Sequence, residues 1–238
     1  MAARRNVGGL FSSVGCLPDR KNLTVLLLSF IMLVYTNISG AGMTKKDTKT
    51  RQAEIVGMAI EIIGEMGVSG LTTARLAERL GMSEPNLYRH FHDKEAILSA
   101  VIDEIGVRLM DNAALLASEE IPPEEKLRLI MASHFNEVER RSGLPRLVFS
   151  EDMHVRYPAL RDKLMERIGG YLATMEKVIA EGKADGTFRP DINPKETART
   201  YLGMVQFAAM RWSISGFSFS LKEEGRRLWV NFYRMIKK

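Results

Sequence analysis

The side chains best suited to molecular recognition lie close together, between positions 84 and 94 of the 238-residue chain. An asparagine amide can pair with both hydrogen-bonding atoms of an adenine edge, and an arginine can pair with guanine or with a phosphate. Tyrosine and histidine can also reach phosphates, and a lysine beside the free N–H groups of a helix N-terminus suits a phosphate. Contacts with double-stranded DNA are therefore indicated for Glu84, Asn86, Tyr88, Arg89, His90 and Lys94.

A short helix is needed to present these side chains on one surface. Ser83 is a suitable N-cap, and Pro85 is tolerated in the first turn because its missing N–H costs nothing there. We expect this helix to run through His90. The next helix is expected to begin at Lys94, with Asp93 as its cap.

Two further helices precede this one. Apolar residues at helical spacing predict a first helix that begins at Lys49 and stops at Gly67. Thr72 or Thr73 is a natural N-cap for a short second helix, and Gly81 can take a positive φ at the corner that follows it. The pattern is that of a helix-turn-helix. The apolar face of the first helix comprises Ile55, Met58, Ala59, Ile62 and Ile63.

Residues 51–98 resemble the DNA-binding domain of the TetR family of bacterial transcriptional regulators. The combined pattern is specific, whereas a single glycine or threonine would not be. One departure is Pro85-Asn86, where many members carry Gly-Thr, so the operator sequence of a relative does not transfer to this chain. The matching residues are Arg51, Ile55, Ala59, Gly67, Thr72-Thr73, Leu76-Ala77, Gly81, Ser83, Leu87-Tyr88, His90-Phe91, Lys94-Glu95 and Leu98.

The resemblance implies a role for each residue of the helix-turn-helix. Thr73 would contact a phosphate or lie beside the groove, and Lys94 would bind a phosphate. Leu76, Ala77, Leu80, Leu87 and Phe91 would form the core. A basic cluster before the first helix would follow the DNA backbone or minor groove, or else be a solvated N-terminus; its members are Lys45, Lys46, Lys49 and Arg51. The residues implied to face the major groove are Glu84, Pro85, Asn86, Tyr88, Arg89 and His90.

The remainder of the chain also has a helical pattern, without useful β-alternation. We therefore predict an all-α protein of about nine helices. A three-helix DNA-binding domain over 43–98 is followed by a helical effector-binding and dimerisation domain over 99–238. The helices expected in the second part span 94–117, 124–139, 144–153, 158–182, 195–216 and 222–236.

The second part is rich in methionine and aromatic residues, which suit either core packing or a pocket for an apolar ligand. Members of the family mostly bind small, often lipophilic effectors between these helices, so the resemblance favours a pocket. His134 and His154 are interpreted as satisfied core histidines, with contact to a polar group of a ligand as the alternative. The candidate pocket residues are Phe135, Phe149, Met153, His154, Tyr157, Met175, Met204 and Phe207.

The last two predicted helices each carry an apolar face that could pair with a second copy of the chain. A homodimer would place two DNA-binding domains about 34–36 Å apart, which is one turn of DNA, and would bind a palindrome. The candidate dimer residues are Tyr201, Val205, Ala208, Ala209, Trp212, Leu228 and Phe232.

Composition excludes several other classes of protein. The chain is 45% hydrophobic and 26% charged, as expected for a globular protein, and its one cysteine excludes a disulfide framework. The net charge is +5, but residues 1–42 carry +3 of it, so overall basicity is weak evidence for DNA binding. No catalytic motif is present, so we expect neither an enzyme nor a cofactor or metal.

Residues 1–42 differ from the rest of the chain. A basic stretch precedes an apolar run over 23–38, followed by small residues, which is the outline of a signal peptide or a short anchor. We interpret this segment as a mis-assigned gene start, with Met43 as the true one. A cytoplasmic, nucleoid-associated protein without stable membrane association is then expected. A membrane-tethered regulator is the alternative.

The predicted function is a dimeric repressor that binds a palindromic operator and is released by a small, lipophilic effector of unknown identity. Two alternatives stay open. One is a DNA-bound adaptor that recruits a protein partner, and the other is an activator that requires its ligand in order to bind DNA.

Overall fold

The computed structural model describes residues 47–238, which fold into helices joined by short turns. The predicted all-α fold is confirmed. The helices near the amino end are α1 Thr48–Gly70, α2 Thr73–Arg79, α3 Glu84–Tyr88, α4 Lys94–Gly106 and α5 Asn112–Ser118, with a π-helical turn, Val107–Asp111, between α4 and α5. They are followed by α6 Pro123–Arg140, α7 Gly143–Val148, α8 Glu151–Arg156, α9 Pro158–Ala184, α10 Pro194–Ile214 and α11 Leu221–Ile236.

Local capping signals determine where the short helices begin. Thr72 is the N-cap of α2, and its side chain accepts a hydrogen bond from the backbone N–H of Arg75. Asp93 caps α4 in the same way. Two glycines provide the bends, because Gly67 (φ 73°) interrupts α1 near its end and Gly81 (φ 62°) forms the corner between α2 and α3. The predicted caps at Thr72 and Asp93 and the positive φ at Gly81 are therefore confirmed, whereas Gly67 bends α1, which ends at Gly70.

Two predicted helices differ from the observed ones. The helix expected to run through His90 ends at Tyr88, and His90 lies in the turn that leads to the cap of α4. The single helix expected over 144–153 is two helices, because the chain turns at Phe149 and the Ser150 side chain caps a new helix by accepting a hydrogen bond from the N–H of Met153.

Two apolar clusters hold the described residues together. The first joins α1–α4 to residues of α7, α8 and α9, so the helix-turn-helix shares its core with the helices that follow it. The second lies among α6, α9, α10 and α11. Of the predicted core residues in the helix-turn-helix, Leu76, Ala77 and Leu87 are buried, while Leu80 and Phe91 are partly buried against the first cluster.

Helices α1 and α7 approach each other closely at two glycines, Gly64 and Gly143, which we call the glycine crossing. A Cβ atom added at Gly143 would lie 2.1 Å from the carbonyl oxygen of Ile60, and one added at Gly64 would lie 2.6 Å from Ser142 Oγ. Beside the crossing, Arg146 donates a hydrogen bond to the carbonyl oxygen of Glu65 at 3.1 Å. Backbone contact between α1 and α7 is possible only because both positions lack a side chain.

Helix α4 continues through the π turn into α5, so helical structure extends without a break over 94–118, close to the predicted 94–117. Ion pairs hold this region on two sides. Asp103 binds Lys163 and Arg167 of α9, and Glu104 binds Arg108 and Arg141. These contacts join the helix that leaves the DNA-binding domain to both α6 and α9.

None of the helices between residues 47 and 238 is long and apolar enough to cross a membrane. The interpretation of residues 1–42, including the apolar run over 23–38 and the start at Met43, lies outside the described residues, as do Lys45 and Lys46 of the basic cluster. Lys49 is exposed in the first turn of α1, and Arg51 forms an ion pair with Glu54 at 2.9 Å.

The caps allow a first prediction. Asp93→Ala is expected to lower the free energy of unfolding by about 1 kcal/mol, because the N–H of Ala96 loses its acceptor at the start of α4. Ser83→Ala is the matched control, since Ser83 occupies the N-cap position of α3 but makes no side-chain capping bond. Urea unfolding of both variants would measure the difference, and equal losses would contradict the assigned role of Asp93.

Candidate DNA interface and effector cavity

The exposed surface of α2 and α3 brings three of the predicted DNA-contacting residues together. Thr73 Oγ1 donates a hydrogen bond to Glu84 Oε2 at 2.8 Å, and the Tyr88 hydroxyl lies 3.4 Å from Thr73 Oγ1. These contacts join the two helices across the corner at Gly81. The Tyr88 side chain is thereby held at the surface, where 47% of the residue is exposed.

Leu87 anchors α3 in the core and orients the rest of the helix. Because Leu87 is fully buried, the other residues of this short helix lie on or beside its outer surface. Pro85 and Arg89 are exposed and Asn86 is half-buried. The half-buried His90 is held from α1, since Gln52 Nε2 donates a hydrogen bond to its carbonyl oxygen at 3.2 Å.

Lys94 occupies a more enclosed position than the other basic residues of this surface. Its Nζ donates a hydrogen bond to the carbonyl oxygen of Val68 at 2.9 Å. Partial burial of the ammonium lowers the pKa of Lys94. Lys94 therefore ties the start of α4 to the end of α1, and the predicted phosphate contact remains a prediction.

A second candidate site is a cavity of about 80 Å³ inside the helical bundle. Its walls come from α4, the π turn, α6, α7, α9 and α10, and most of the wall residues are apolar. Leu109 and Met110 of the π turn and Leu144 and Pro145 of α7 lie on the wall. The polar wall residues are His134, Arg167, Tyr171 and Gln206.

The structure places one of the predicted pocket residues, Phe149, on the wall of this cavity. The others lie elsewhere. Phe135 and Met175 are buried in the second apolar cluster, with Met204 packed against it; Met153 is buried in the first, with Tyr157 packed against it. His154 Nε2 is 2.8 Å from the carbonyl oxygen of Val148, and Phe207 is 61% exposed.

Sequence reasoning gave His134 contact with a ligand only as the alternative to core packing, and it did not include Arg167 or Gln206 in the candidate pocket. His134 and Tyr171 each lie on a helix with an apolar face, and nothing in their local sequence distinguishes a cavity wall from packed core. Arg167 and Gln206 had no signal either, because each resembles an ordinary surface residue. Only the packing of α6, α9 and α10 brings these side chains together.

His134 and Tyr171 form a hydrogen-bonded pair on the cavity wall. His134 Nδ1 lies 3.1 Å from the Tyr171 hydroxyl oxygen, and the two rings meet edge to face with their centroids 5.5 Å apart. Burial lowers the pKa of His134 from 6.5 to about 4 and raises the pKa of Tyr171. Both side chains are therefore uncharged at neutral pH.

The lowered pKa predicts a pH-dependent stability. Between about pH 6.5 and pH 4 the unfolded chain binds a proton at His134 that the folded chain does not, so stability falls as the pH falls. The loss over this window is about 3 kcal/mol. His134→Gln removes this titrating group. The difference in free energy of unfolding, wild type minus His134→Gln, is therefore expected to fall by about 3 kcal/mol from pH 7 to pH 4.

Urea unfolding at several pH values would measure this change. His92→Gln is the control, because His92 is an exposed histidine with 83% of its side chain accessible. A difference between wild type and His134→Gln that stays constant from pH 7 to pH 4 would contradict the assignment.

The candidate dimer residues are mostly occupied within the chain itself. Leu228 is half-buried, and the other six are buried in the second apolar cluster: Tyr201, Val205, Ala208, Ala209, Trp212 and Phe232. Other positions of the same two helices carry exposed apolar residues instead. We call these the outer apolar stripe: Phe207 and Ile214 of α10 and Val230 and Met235 of α11, which are 47–77% exposed.

Comparison with known proteins supports both the helix-turn-helix and the helical part that follows it. Residues 55–101 match the family model described as bacterial regulatory proteins of the tetR family, and residues 103–233 match the model for the C-terminal region of YsiA-like proteins. The chain is 31% identical to the nucleoid occlusion factor SlmA of Vibrio cholerae over 79% of this chain and 96% of that protein.

Two solved structures share the fold. The fatty acid degradation regulator FadR from Bacillus halodurans superposes with a TM-score of 0.69 at 21% identity, covering 76% of this chain and 94% of that one. The transcriptional regulator FadR from Bacillus subtilis, solved in complex with stearoyl-CoA, gives a TM-score of 0.64 at 19% identity, with 76% and 97% coverage. Together with the two family models, which span most of residues 55–233, these features place the chain in the TetR family of bacterial transcriptional regulators.

Proposed function

We propose that this protein is a ligand-responsive transcriptional repressor that acts as a dimer in the cytoplasm, at the nucleoid. The observation that carries the proposal is the position of the cavity. Its wall includes the π turn that continues α4 and the α7 helix that contacts α1 at the glycine crossing. A molecule in the cavity thus contacts two elements that lead directly to the helix-turn-helix.

An effector can change DNA binding only if it binds one arrangement of these helices better than another. Helix α4 leads out of the DNA-binding domain, and α7 contacts the backbone of α1 at the glycine crossing. We propose that a ligand wedged between the π turn and α7 changes the tilt of α1 and α4. The spacing of the two DNA-binding domains of the dimer would then no longer match successive major grooves.

The outer apolar stripe supports the dimeric part of the proposal. Large apolar side chains exposed along two neighbouring helices are typical of an interface. We propose that this stripe, rather than the seven residues predicted from the sequence, forms the contact with the second copy. Phe207→Glu is then expected to give a monomer in analytical ultracentrifugation.

Selection from random DNA duplexes by the purified protein, followed by gel shifts at a stated salt concentration, would test the DNA-binding part, because affinity for DNA depends strongly on salt. A palindrome bound by one dimer is the expected result. A folded dimer without any sequence preference would contradict the proposal that the ligand-free protein is the DNA-binding form.

Similarity to the nucleoid occlusion factor SlmA favours a second candidate function, a DNA-bound adaptor for a protein partner. The two candidates differ in their dependence on the cavity. A repressor releases its operator when the cavity is filled, whereas an adaptor keeps it. Leu144→Trp, which would fill the cavity from α7, is expected to weaken operator binding in a repressor and to leave it unchanged in an adaptor.

A further inference from the structure

The size and the wall residues of the cavity indicate the kind of molecule that it binds. We propose that it selects a small, uncharged, mostly apolar molecule with one hydrogen-bonding group, and that His134 and Tyr171 bind that group. This inference rests on the proposed function, since it takes the cavity as the effector site. Size, polarity and charge each support it.

The size of the cavity favours a compact ligand. An apolar cavity of about 150 Å³ can hold benzene, and this cavity of about 80 Å³ is smaller but partly open. A single ring with a short substituent is therefore the largest ligand that suits it. A long acyl chain is much larger than the cavity.

His134 and Tyr171 can bind a ligand group that donates a hydrogen bond or one that accepts a hydrogen bond. A neutral imidazole has one donor nitrogen and one acceptor nitrogen. If Nδ1 of His134 accepts from the Tyr171 hydroxyl, Nε2 is a donor and the tyrosine oxygen retains an acceptor site. If Nδ1 donates, the tyrosine hydroxyl becomes the free donor and Nε2 the acceptor. Either tautomer therefore offers one donor and one acceptor.

The His134–Tyr171 pair has a hydrogen-bonding atom that no other described residue of the protein binds. Within residues 47–238, Nε2 of His134 makes no hydrogen bond to another side chain or to the backbone. A pair with unused polar atoms beside mostly apolar wall residues is poorly satisfied by the protein alone. A ligand with a hydroxyl, carbonyl or amide group would satisfy it.

Charge argues against an anionic ligand. His134 and Tyr171 are both neutral, so neither compensates a buried carboxylate. Among the described residues of the cavity wall, Arg167 is the one with an ionised side chain. It is already bound to Asp103, with Arg167 Nη2 and Asp103 Oδ1 2.9 Å apart. Lys163 binds the same carboxylate at 2.6 Å. Because 41% of the Arg167 side chain is exposed, water also screens its charge.

Two matched pairs of ring compounds test the proposal on the full chain. Phenol has a hydroxyl group where toluene has a methyl group. Benzoate carries a negative charge, whereas benzamide is neutral. Methyl NMR of methionine-labelled protein reports binding, since Met110 lies on the cavity wall and Met66, exposed on α1, is an internal control. We expect Met110 alone to shift, phenol to bind about fivefold more tightly than toluene, and benzoate to bind at least about 100-fold more weakly than benzamide.

Two variants separate the pair from general packing. Because either side chain can bind the ligand's hydroxyl group, the double variant His134→Leu/Tyr171→Phe is expected to remove the fivefold preference for phenol. Tyr201→Phe is the matched control, because its buried hydroxyl donates to the carbonyl oxygen of Leu127 at 2.7 Å and lies outside the cavity wall. If the double variant proves unstable, His134→Leu and Tyr171→Phe are tested singly, and each is expected to weaken the preference for phenol.

The outcomes separate this inference from the proposed function. Equal affinities for phenol and toluene, tighter binding of benzoate than of benzamide, or no shift of Met110 with any probe would each overturn the inference. None of these results depends on DNA. If the probes bind as expected but the protein has no operator, the ligand class stands and the proposed function fails.

Discussion

Gly143→Ala is expected to lower the free energy of unfolding by about 3 kcal/mol and the Tm by roughly 10 °C. The added methyl group would lie 2.1 Å from the carbonyl oxygen of Ile60, which belongs to the backbone of α1 and cannot rotate away. Helices α1 and α7 must therefore separate, and the apolar cluster between them loses contacts. Thermal and urea unfolding would measure the loss.

Gly57→Ala is the matched control for this prediction. Gly57 lies in α1 as well, but a Cβ atom there would meet nothing within 4 Å. Because alanine favours helix more than glycine does, this variant is expected to be more stable than the wild type by about 0.5–1 kcal/mol. Gly64→Ala should fall between the two, since its nearest neighbour is the movable Ser142 hydroxyl. A Gly143→Ala protein as stable as the wild type would contradict the importance of the glycine crossing.

Asn86→Ala is expected to weaken operator binding by about 10–100-fold while leaving stability unchanged. The amide of Asn86 makes no side-chain hydrogen bond within residues 47–238, so its donors and acceptor are available for a base. A bidentate contact to a base is worth about 1–3 kcal/mol of discrimination. The loss should be largest on the selected operator and small on random DNA, because a base contact carries sequence information and a phosphate contact does not.

Asn136→Ala provides the same chemical change at an exposed position of α6, far along the chain from the helix-turn-helix. Gel shifts with both variants on operator and on random duplex would separate base recognition from general affinity. Equal weakening on both duplexes would assign Asn86 to the phosphate backbone. Unchanged affinity on both would remove it from the interface.

Local signals explain which parts of the fold were predictable from the sequence. The caps at Thr72 and Asp93 and the bend at Gly81 depend on a few neighbouring residues, and each is observed as predicted. The split between α7 and α8 was missed because Ser150 competes as a cap within a stretch that otherwise favours one helix.

The placement of the site residues depends on contacts between distant parts of the chain. Helix α10 has two apolar faces, and periodicity alone does not tell which packs inside the chain. Trp212 lies in the core, whereas Phe207 lies outside, although both are large aromatic residues. Gly143 lies outside the predicted helix over 144–153, but it starts α7 and is needed because α1 crosses it. Such features follow from packing and leave no mark in the nearby sequence.

The π turn over Val107–Asp111 has a consequence for comparing this chain with its relatives. A turn closed by bonds five residues apart contains one more residue than a turn of an α-helix. Where a relative has a regular α-helix here, the correct alignment has a one-residue gap inside an otherwise unbroken helix. An ungapped alignment would pair every later position of α5 with a residue about 100° around the helix. Effector preferences inferred from aligned positions would then compare residues that face different directions.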